Sequence, residues 1–392
     1  MRNKSICFIT NAYPDFDSSG RGMFIKKMAL LLKESGYQIS VVTPKIYARS
    51  HYVEEQEGIR IYRFPFFSGD RPLIEYKKIP YFKMVFYYLT GFFLTSYVVF
   101  KYKCHLIHAH WAIPTGLIGA LVGSFLKTPL IVTIHGSDFR IGSTKPFMLK
   151  KIFLYVCKRA KHIICVSEVL RREIEKLGIK AEKISVSPMG VDEPFFRPLI
   201  NRRVNRIDQW FTILSNRQLQ PIYNLSLLIR AIPMVLKEEP NARFIIAGIG
   251  SEREKLEKQV KDLNISSNVQ FLGWVTHEGM PKLLSQADIY ISTSLDDGTS
   301  ISLLEAMASG AFPIVTDIPS NREWISDGEN GFLVPIEEER FLAEKILEAI
   351  RNQDLREGSR DKNFCLIKEK ALWPVTIEKA KEIYKMALDS KC

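Results

Sequence analysis

At 392 residues the chain exceeds one ordinary hydrophobic core, so two domains are expected; 46% apolar and 25% charged residues are the proportions of a soluble globular protein. Six cysteines show no CxxC and no metal-ligand spacing, which excludes a zinc module and fits reduced thiols in a cytosolic protein. The net charge of +12 is uneven: residues 1–200 hold 30 Lys and Arg against 15 Asp and Glu, whereas residues 201–392 hold 25 against 28.

The basic half calls for an anionic partner. Nucleic acid would suit that charge, but no nucleic-acid motif accompanies it and none is expected as a partner; an anionic membrane surface or a phosphorylated acceptor fits as well. The opening "MRNKSICFITNAYPD" contains an apolar run of about five residues, too short for a signal peptide. It reads as a first strand, and the protein is expected in the cytoplasm, associated with the inner face of the membrane.

"ICFIT" is followed by a Gly-containing loop, "SSGRGM", and by "FIKKMALLLKESG", apolar at helical spacing. "YQISVVTP", "HLIHAH", "LIVTIHG", "HIICVS" and "KISVSPMG" are further strands. Strand and helix alternating in this way predict a parallel sheet with helices on both faces. One segment stands apart: "MVFYYLTGFFLTSYVVF", residues 84–100, carries no charge between Lys83 and Lys101. A bilayer span needs about 20 apolar residues. The segment is diluted by Thr90, Gly91, Thr95 and Ser96, so it reads first as one or two buried helices, then as a segment inserting partway into a membrane surface. A true span comes third.

Around residues 196–207 the pattern lapses. The second half then repeats the theme with strands "WFTILSN", "ARFIIAGIG", "VQFLGWV", "IYISTS" and "FPIVT" and intervening helices. The expected division is a first Rossmann-like domain over 1–196, a linker over 197–206, a second Rossmann-like domain over 207–370, and a terminal helix over 371–392.

"SLDDGTSISLLEAMASG", residues 294–310, concentrates the chemistry. Gly298 permits a tight turn after a strand, Thr299 or Ser300 can cap a helix, and free N–H groups at that start attract an anion. Glu305 lies seven residues beyond Gly298, two helical turns or about 10 Å along an axis. Carboxylates at Asp297 and Glu305 accept hydroxyl hydrogen bonds. Hydroxyls at two ends with a diphosphate between them describe a sugar nucleotide. The plain alternative is a capped helix with Glu305 paired to an arginine.

The stretch resembles the acid–x7–acid motif of family 4 retaining glycosyltransferases of the GT-B architecture. "GTSISLLEAMASGAFPIVTDIPSNREWISDGENGFLVP" resembles its continuation. "HIICVSEVLRREIEKLG" with "KISVSPMGVDEPFFRP" is similar to the segment closing that family's first domain, and "SNRQLQPIYNLSLLIRA" with "FIIAGIGSEREKLE" to the start of its second. The resemblance covers nearly the whole chain. It implies two doubly wound domains facing a central cleft, with the C-terminal helix crossing back to the first domain. It further implies a UDP- or GDP-linked sugar donor, a glycan or polyprenyl- or lipid-linked acceptor, and no metal or other cofactor.

Residue by residue, the resemblance assigns Glu305 to the ribose hydroxyls and Asp297 to the transferred sugar. It assigns the N–H groups around Gly298, Thr299, Ser300 and Ile301, with Arg217, to the diphosphate, and the backbone near Val275 to the base. Gly20 and Gly22 stand in the loop that the family places near the phosphates. His135 matches a histidine contacting the donor sugar, and Asp138 is placed to accept a proton from the acceptor or to orient it. Two departures are visible: the first acid is Asp297 where the family usually has Glu, and Ile222 and Tyr223 stand where it usually has Lys. "DFD" at Asp15–Asp17 spells a metal motif of another architecture and reads as a solvated loop. His108 and His110 lack a third ligand and read as structural. The expected reaction is retaining glycosyl transfer in cell-surface polysaccharide or glycolipid synthesis. The alternatives are a sugar-nucleotide epimerase or phosphorylase on the same fold, or a non-catalytic partner protein.

Overall fold

A computed structural model describes residues 4–16, 20–76, 79–144, 147–196 and 210–389. The expected linker 197–206 and Asp17 lie outside them. The chain forms two compact units, Met1–Pro188 with Thr376–Cys392, and Met189–Val375.

In the first unit the strands are β1 (Ser5–Ile9), β2 (Gln38–Lys45), β3 (Val53–Gln56), β4 (Ile59–Pro65), β5 (Leu106–His110), β6 (Leu130–Ile134), β7 (His162–Cys165) and β8 (Ile184–Val186). They form one sheet in the order β3-β4-β2-β1-β5-β6-β7-β8. Pairing is parallel except between β3 and β4. "SICFI" and "LIVTI" are buried at every position, because a parallel strand between helical layers has no solvent face. The helices are α1 (Met23–Glu34), α2 (Tyr81–Lys101), α3 (Leu117–Phe125), α4 (Ser137–Thr144), α5 (Phe147–Arg159) and α6 (Glu168–Lys176). α1 buries Ile25, Met28, Ala29 and Leu32, one stripe at helical spacing. The charge-free segment 84–100 lies within the single helix α2, but it is not a buried core helix: Tyr87, Gly91, Thr95, Val98 and Val99 face inward, and much of the opposite face is exposed. By length and composition α2 alone, among the described residues, could cross a bilayer.

In the second unit β9 (Phe211–Ser215), β10 (Ala242–Ala247), β11 (Val269–Gly273), β12 (Ile289–Ser292), β13 (Phe312–Thr316) and β14 (Phe332–Val334) form a parallel sheet in the order β11-β10-β9-β12-β13-β14. α7 (Leu225–Glu238), α8 (Arg253–Asp262), α9 (Met280–Gln286), α10 (Ile301–Ala308), α11 (Glu339–Arg351) and α12 (Gln353–Lys370) surround it. Period-2 alternation along the strands builds two cores. Ile213, Phe244, Ile289 and Ile314 pack with residues of α7 and α11, while Leu214, Tyr290 and Val315 pack with residues of α10.

The last helix, α13 (Trp373–Asp389), begins in the second unit and, from Thr376, belongs to the first. There Tyr384 is wholly buried, its hydroxyl 2.6 Å from His108 Nδ1.

Each sheet reverses its winding once, between β1 and β5 in the first unit and between β9 and β12 in the second. In doubly wound sheets, loops leaving the carboxyl ends of strands at such a reversal hold the ligand. Those loops contain Gly20, Gly22 and Trp111 in one unit, and Arg217 and Asp297 in the other.

Candidate functional site

Arg217 follows β9 and is 8% exposed. Its Nη1 donates to Ser300 Oγ at 2.6 Å and Ser302 Oγ at 2.7 Å, and its Nη2 to Asp297 Oδ2 at 2.5 Å. Its guanidinium lies 4.2 Å from the centre of the Tyr223 ring. Burial works against the charge, but Asp297, Tyr290 and Tyr223 more than offset it, so the guanidinium pKa is raised. Arg217 Nε, Asn216 Oδ1 and Asn224 Nδ2 are buried with no hydrogen-bond partner among the described residues. Buried polar atoms are rarely left so in a finished network, and these cluster where a polar ligand would arrive.

Gly248 and Gly250 shape the backbone that carries Arg217. A Cβ at Gly248 would lie 2.4 Å from the Arg217 carbonyl oxygen, and one at Gly250 would lie 2.2 Å from that of Leu219. Only glycine permits this approach of the β10 loop.

The turn expected at Gly298 is present, but the helix starts later. Ser300 is the N-cap, accepting from Leu303 N at 3.3 Å, and α10 begins at Ile301. Glu305 is therefore four residues from the first helical residue, about 6 Å along the axis rather than the 10 Å expected from a helix starting at the turn. It shares a face with Ser302, three residues earlier. From Leu303 to Ala308 every residue is buried, Glu305 included. Its carboxylate accepts no hydrogen bond among the described residues. Burial pushes its pKa up to about 7, opposed by the charge of His277 and assisted by that of Asp192. His277 Nε2 lies 2.8 Å from Asp192 Oδ2, and that contact raises the histidine's pKa. Val275 lies two residues before His277, partly buried against the α10 core.

The sequence alone does not point to Ser302, Asp192 or His277, and it marks Tyr223 only as standing where the family usually has Lys. Serine and tyrosine carry no charge signal, and Asp192 and His277 meet across 85 positions.

In the first unit Gly22 caps α1 with φ +73°, and a Cβ there would lie 2.3 Å from the Ala12 carbonyl oxygen. This fixes the loop that also holds Gly20. Asp15 is buried, not solvated: its carboxylate takes Arg21 Nε at 2.9 Å.

His108, His110 and His135 form a row of aligned rings, with centroids 4.5 Å apart for the first pair and 5.5 Å for the second. His110 Nδ1 lies 3.2 Å from His135 Nε2, and His108 Nε2 lies 2.7 Å from Thr133 Oγ1. Burial pushes the His135 pKa down to about 3, and burial with His135 nearby does the same to His108, so the row is neutral at ordinary pH. Trp111 follows β5 with φ +70° and ψ 126°, backbone that a bulky residue adopts only under constraint. Asp138 supplies that constraint: its carboxylate accepts from Ala112 N at 2.6 Å and from His135 N and Gly136 N at 3.1 Å each. Asp138 thus holds the loop after β5 to the turn after β6, and burial raises its pKa to about 6, opposed by backbone hydrogen bonds.

Known proteins share this plan. The family model described as Glycosyltransferase Family 4 matches residues 19–194, and that described as Glycosyl transferases group 1 matches residues 198–363. The alpha-monoglucosyldiacylglycerol synthase of Streptococcus pneumoniae is 26% identical over 95% of this chain and 83% of its own length. Sucrose-phosphate synthase from Thermosynechococcus elongatus superposes with a TM-score of 0.82 at 17% identity, covering 99% of this chain and 100% of that one. HepE from Anabaena, solved in complex with UDP-glucose, superposes with a TM-score of 0.75 at 17% identity over 97% of this chain and 99% of that one. Matched across both units in the order of the family's own domains, the chain belongs to the family 4 glycosyltransferases and has their GT-B fold.

Proposed function

We propose that the protein transfers a hexosyl group, with retention at the anomeric carbon, from a UDP- or GDP-linked sugar to a lipid-linked or glycolipid acceptor. The observation that carries this reading is the Arg217–Asp297–Ser300–Ser302 network at the start of α10, with Glu305 one turn further on the same face. Arg217 and the N–H groups from Gly298 to Ile301 are assigned to the diphosphate, and Glu305 to the ribose hydroxyls. Asp297 is assigned to the transferred sugar, and the backbone at Val275 to the base. Within the first unit, Gly20 and Gly22 are assigned to phosphate binding and His135 to the donor sugar on the family resemblance alone, with Asp138 holding His135 in place.

In the reaction the bond from the sugar's anomeric carbon to the diphosphate oxygen breaks, and the acceptor hydroxyl bonds to the same face of that carbon. The hydroxyl proton passes to the departing phosphate. Charge develops on the leaving group, and a preorganised buried guanidinium with helix N–H groups stabilises it without reorganising. The residues present supply the positive charge a metal would otherwise bring, so the reaction is assigned as metal-independent. The pneumococcal relative makes a glycolipid and the Anabaena structure holds UDP-glucose, which supports the donor and acceptor classes. The basic first half suits work at the inner face of an anionic membrane.

The test is binding of UDP- and GDP-sugars by calorimetry to the wild type and to Glu305→Ala. One nucleotide sugar is expected to bind the wild type, and the variant to lose about tenfold or more, since hydrogen bonds to a charged group contribute roughly 1.5–3 kcal/mol each. A wild type that binds neither class would contradict the reading.

A further inference from the structure

Residues exposed along α2 form one stripe: Phe82, Val85, Leu89, Phe93, Tyr97 and Phe100 recur every three or four positions. Phe82, Phe93 and Phe100 are 77%, 68% and 78% exposed. The stripe continues at both ends. Phe67, itself exposed, packs edge-on against Phe86, and Phe86 against Phe82. At the end of α3, exposed Phe125 meets Phe92. Scattered exposed apolar residues need no explanation, but a continuous aromatic stripe marks an interaction surface.

The charge around it identifies what it meets. Between Glu75 and Glu168 the sequence holds thirteen Lys and Arg and a single acid, Asp138, which is buried. Lys101 and Lys103 are exposed at the end of α2, and Lys127 is exposed just past Phe125. Arg159 of α5 donates to Ser124 Oγ beside Phe125 at 2.6 Å. The aromatic residues from Phe82 to Phe125, bordered by cations and with no exposed acid between Glu75 and Glu168 in sequence, suit an anionic lipid surface. A second copy of the same face would bring like charges together.

The helix is about 31 Å long, enough to cross a bilayer, yet its other face is committed to the unit. Tyr87 packs edge-on against Phe64 and Phe66 and donates to Asn11 Oδ1 at 3.2 Å. A Cβ at Gly91 would lie 2.6 Å from Ile118 Cδ1. α2 cannot leave that packing to span a membrane without exposing a core.

We infer that α2 lies in the plane of an anionic bilayer, with its Phe82–Phe93–Phe100 face among the acyl chains and the bordering lysines and Arg159 at the headgroups. The inference rests on the proposal that the first unit works at such a membrane. Its test is cosedimentation of the full chain, without donor, with vesicles of phosphatidylcholine alone or with added phosphatidylglycerol. The wild type is expected to bind the anionic vesicles, less so as salt rises. The variant F82S/F93S/F100S should bind at least about tenfold more weakly, a lower bound set by losing a single buried aromatic side chain. Its circular dichroism should be unchanged, since all three residues are exposed. K101E/K103E should lose the preference for anionic lipid. Equal binding by the wild type and the triple variant would overturn the assignment of this face while leaving a membrane role standing. A wild type that stays in the supernatant with both vesicles would overturn both. A dimer in solution that the triple variant abolishes, with no vesicle binding, would make a second copy the occupant and overturn the inference.

Discussion

Glu305 is an acid in a helix otherwise built of buried apolar residues, and burial holds its pKa near 7. If the ionised form accepts the ribose hydroxyls, affinity is present above that pKa and lost as pH falls through it. About a tenth of the carboxyl is ionised at pH 6 and about nine-tenths at pH 8, so affinity should drop roughly tenfold between them. Calorimetry with an intact nucleotide sugar, whose diphosphate does not titrate in that range, reads this directly. Glu305→Gln should bind weakly with a flat profile; a flat wild-type profile would remove Glu305 from the ribose. Arg217 is tied to Asp297 across 80 positions. Arg217→Lys keeps the charge but lacks the planar fork whose two Nη atoms reach Ser300, Ser302 and Asp297 at once. Turnover is expected to fall by about 100-fold or more, in the range for losing one preorganised donor to a developing charge. Tyr223, on the guanidinium where the family usually has Lys, holds Arg217 in place without adding a second charge. The acid at 297 and the spacing to Glu305 were legible in the sequence. Ser302 and the contact of Tyr223 with the guanidinium were not, because only the fold brings each side chain to Arg217.

At the scale of elements, the two winding reversals explain why short loops carry the chemistry. β9 and β12 deliver Arg217 and Asp297 to one place because each loop leaves a carboxyl end beside the reversal. In the first unit Asp138 joins the loop after β5 to the turn after β6. Asp138→Ala would strand the buried Ala112 N–H and the partly buried N–H groups of His135 and Gly136, and stranding even one buried group costs about 1–3 kcal/mol. Thermal denaturation should show destabilisation by at least about 2 kcal/mol, and Asp138→Asn, which keeps one acceptor oxygen, should recover part of it. An unchanged melting temperature for Asp138→Ala would deny the clamp. The strands were legible because runs such as "ICFI" and "LIVTI" have no polar face. α2 was not, because hydropathy counts apolar residues without saying which face each occupies: residues 84–100 read as a buried helix, and only packing shows that one side is covered.

Over the whole molecule, alternating strand and helix patterns on either side of a lapse near residue 200 were enough to read two Rossmann-like units. Where α13 packs was not legible, since nothing near Tyr384 in sequence points to His108, 276 positions away. That pairing gives the chain's end a structural task in the first unit. Tyr384→Phe leaves a buried histidine nitrogen without its partner and should destabilise the first unit by about 1–3 kcal/mol. Hydrogen exchange of β5 and β6 amides would report it, and unchanged exchange would mean that α13 contributes nothing there. The basic charge of the first half and the near-neutral second half fall on separate units, and the Arg217–Asp297–Ser300–Ser302 network lies wholly in the second. The most direct test of the account is release of nucleoside diphosphate from UDP- and GDP-sugars in the presence of vesicles carrying diacylglycerol or a polyprenyl-linked sugar, with the product's anomeric configuration read by NMR. The account predicts acceptor-dependent release from one nucleotide sugar and a product that keeps the donor's configuration. Release without acceptor, or a product of inverted configuration, would contradict it.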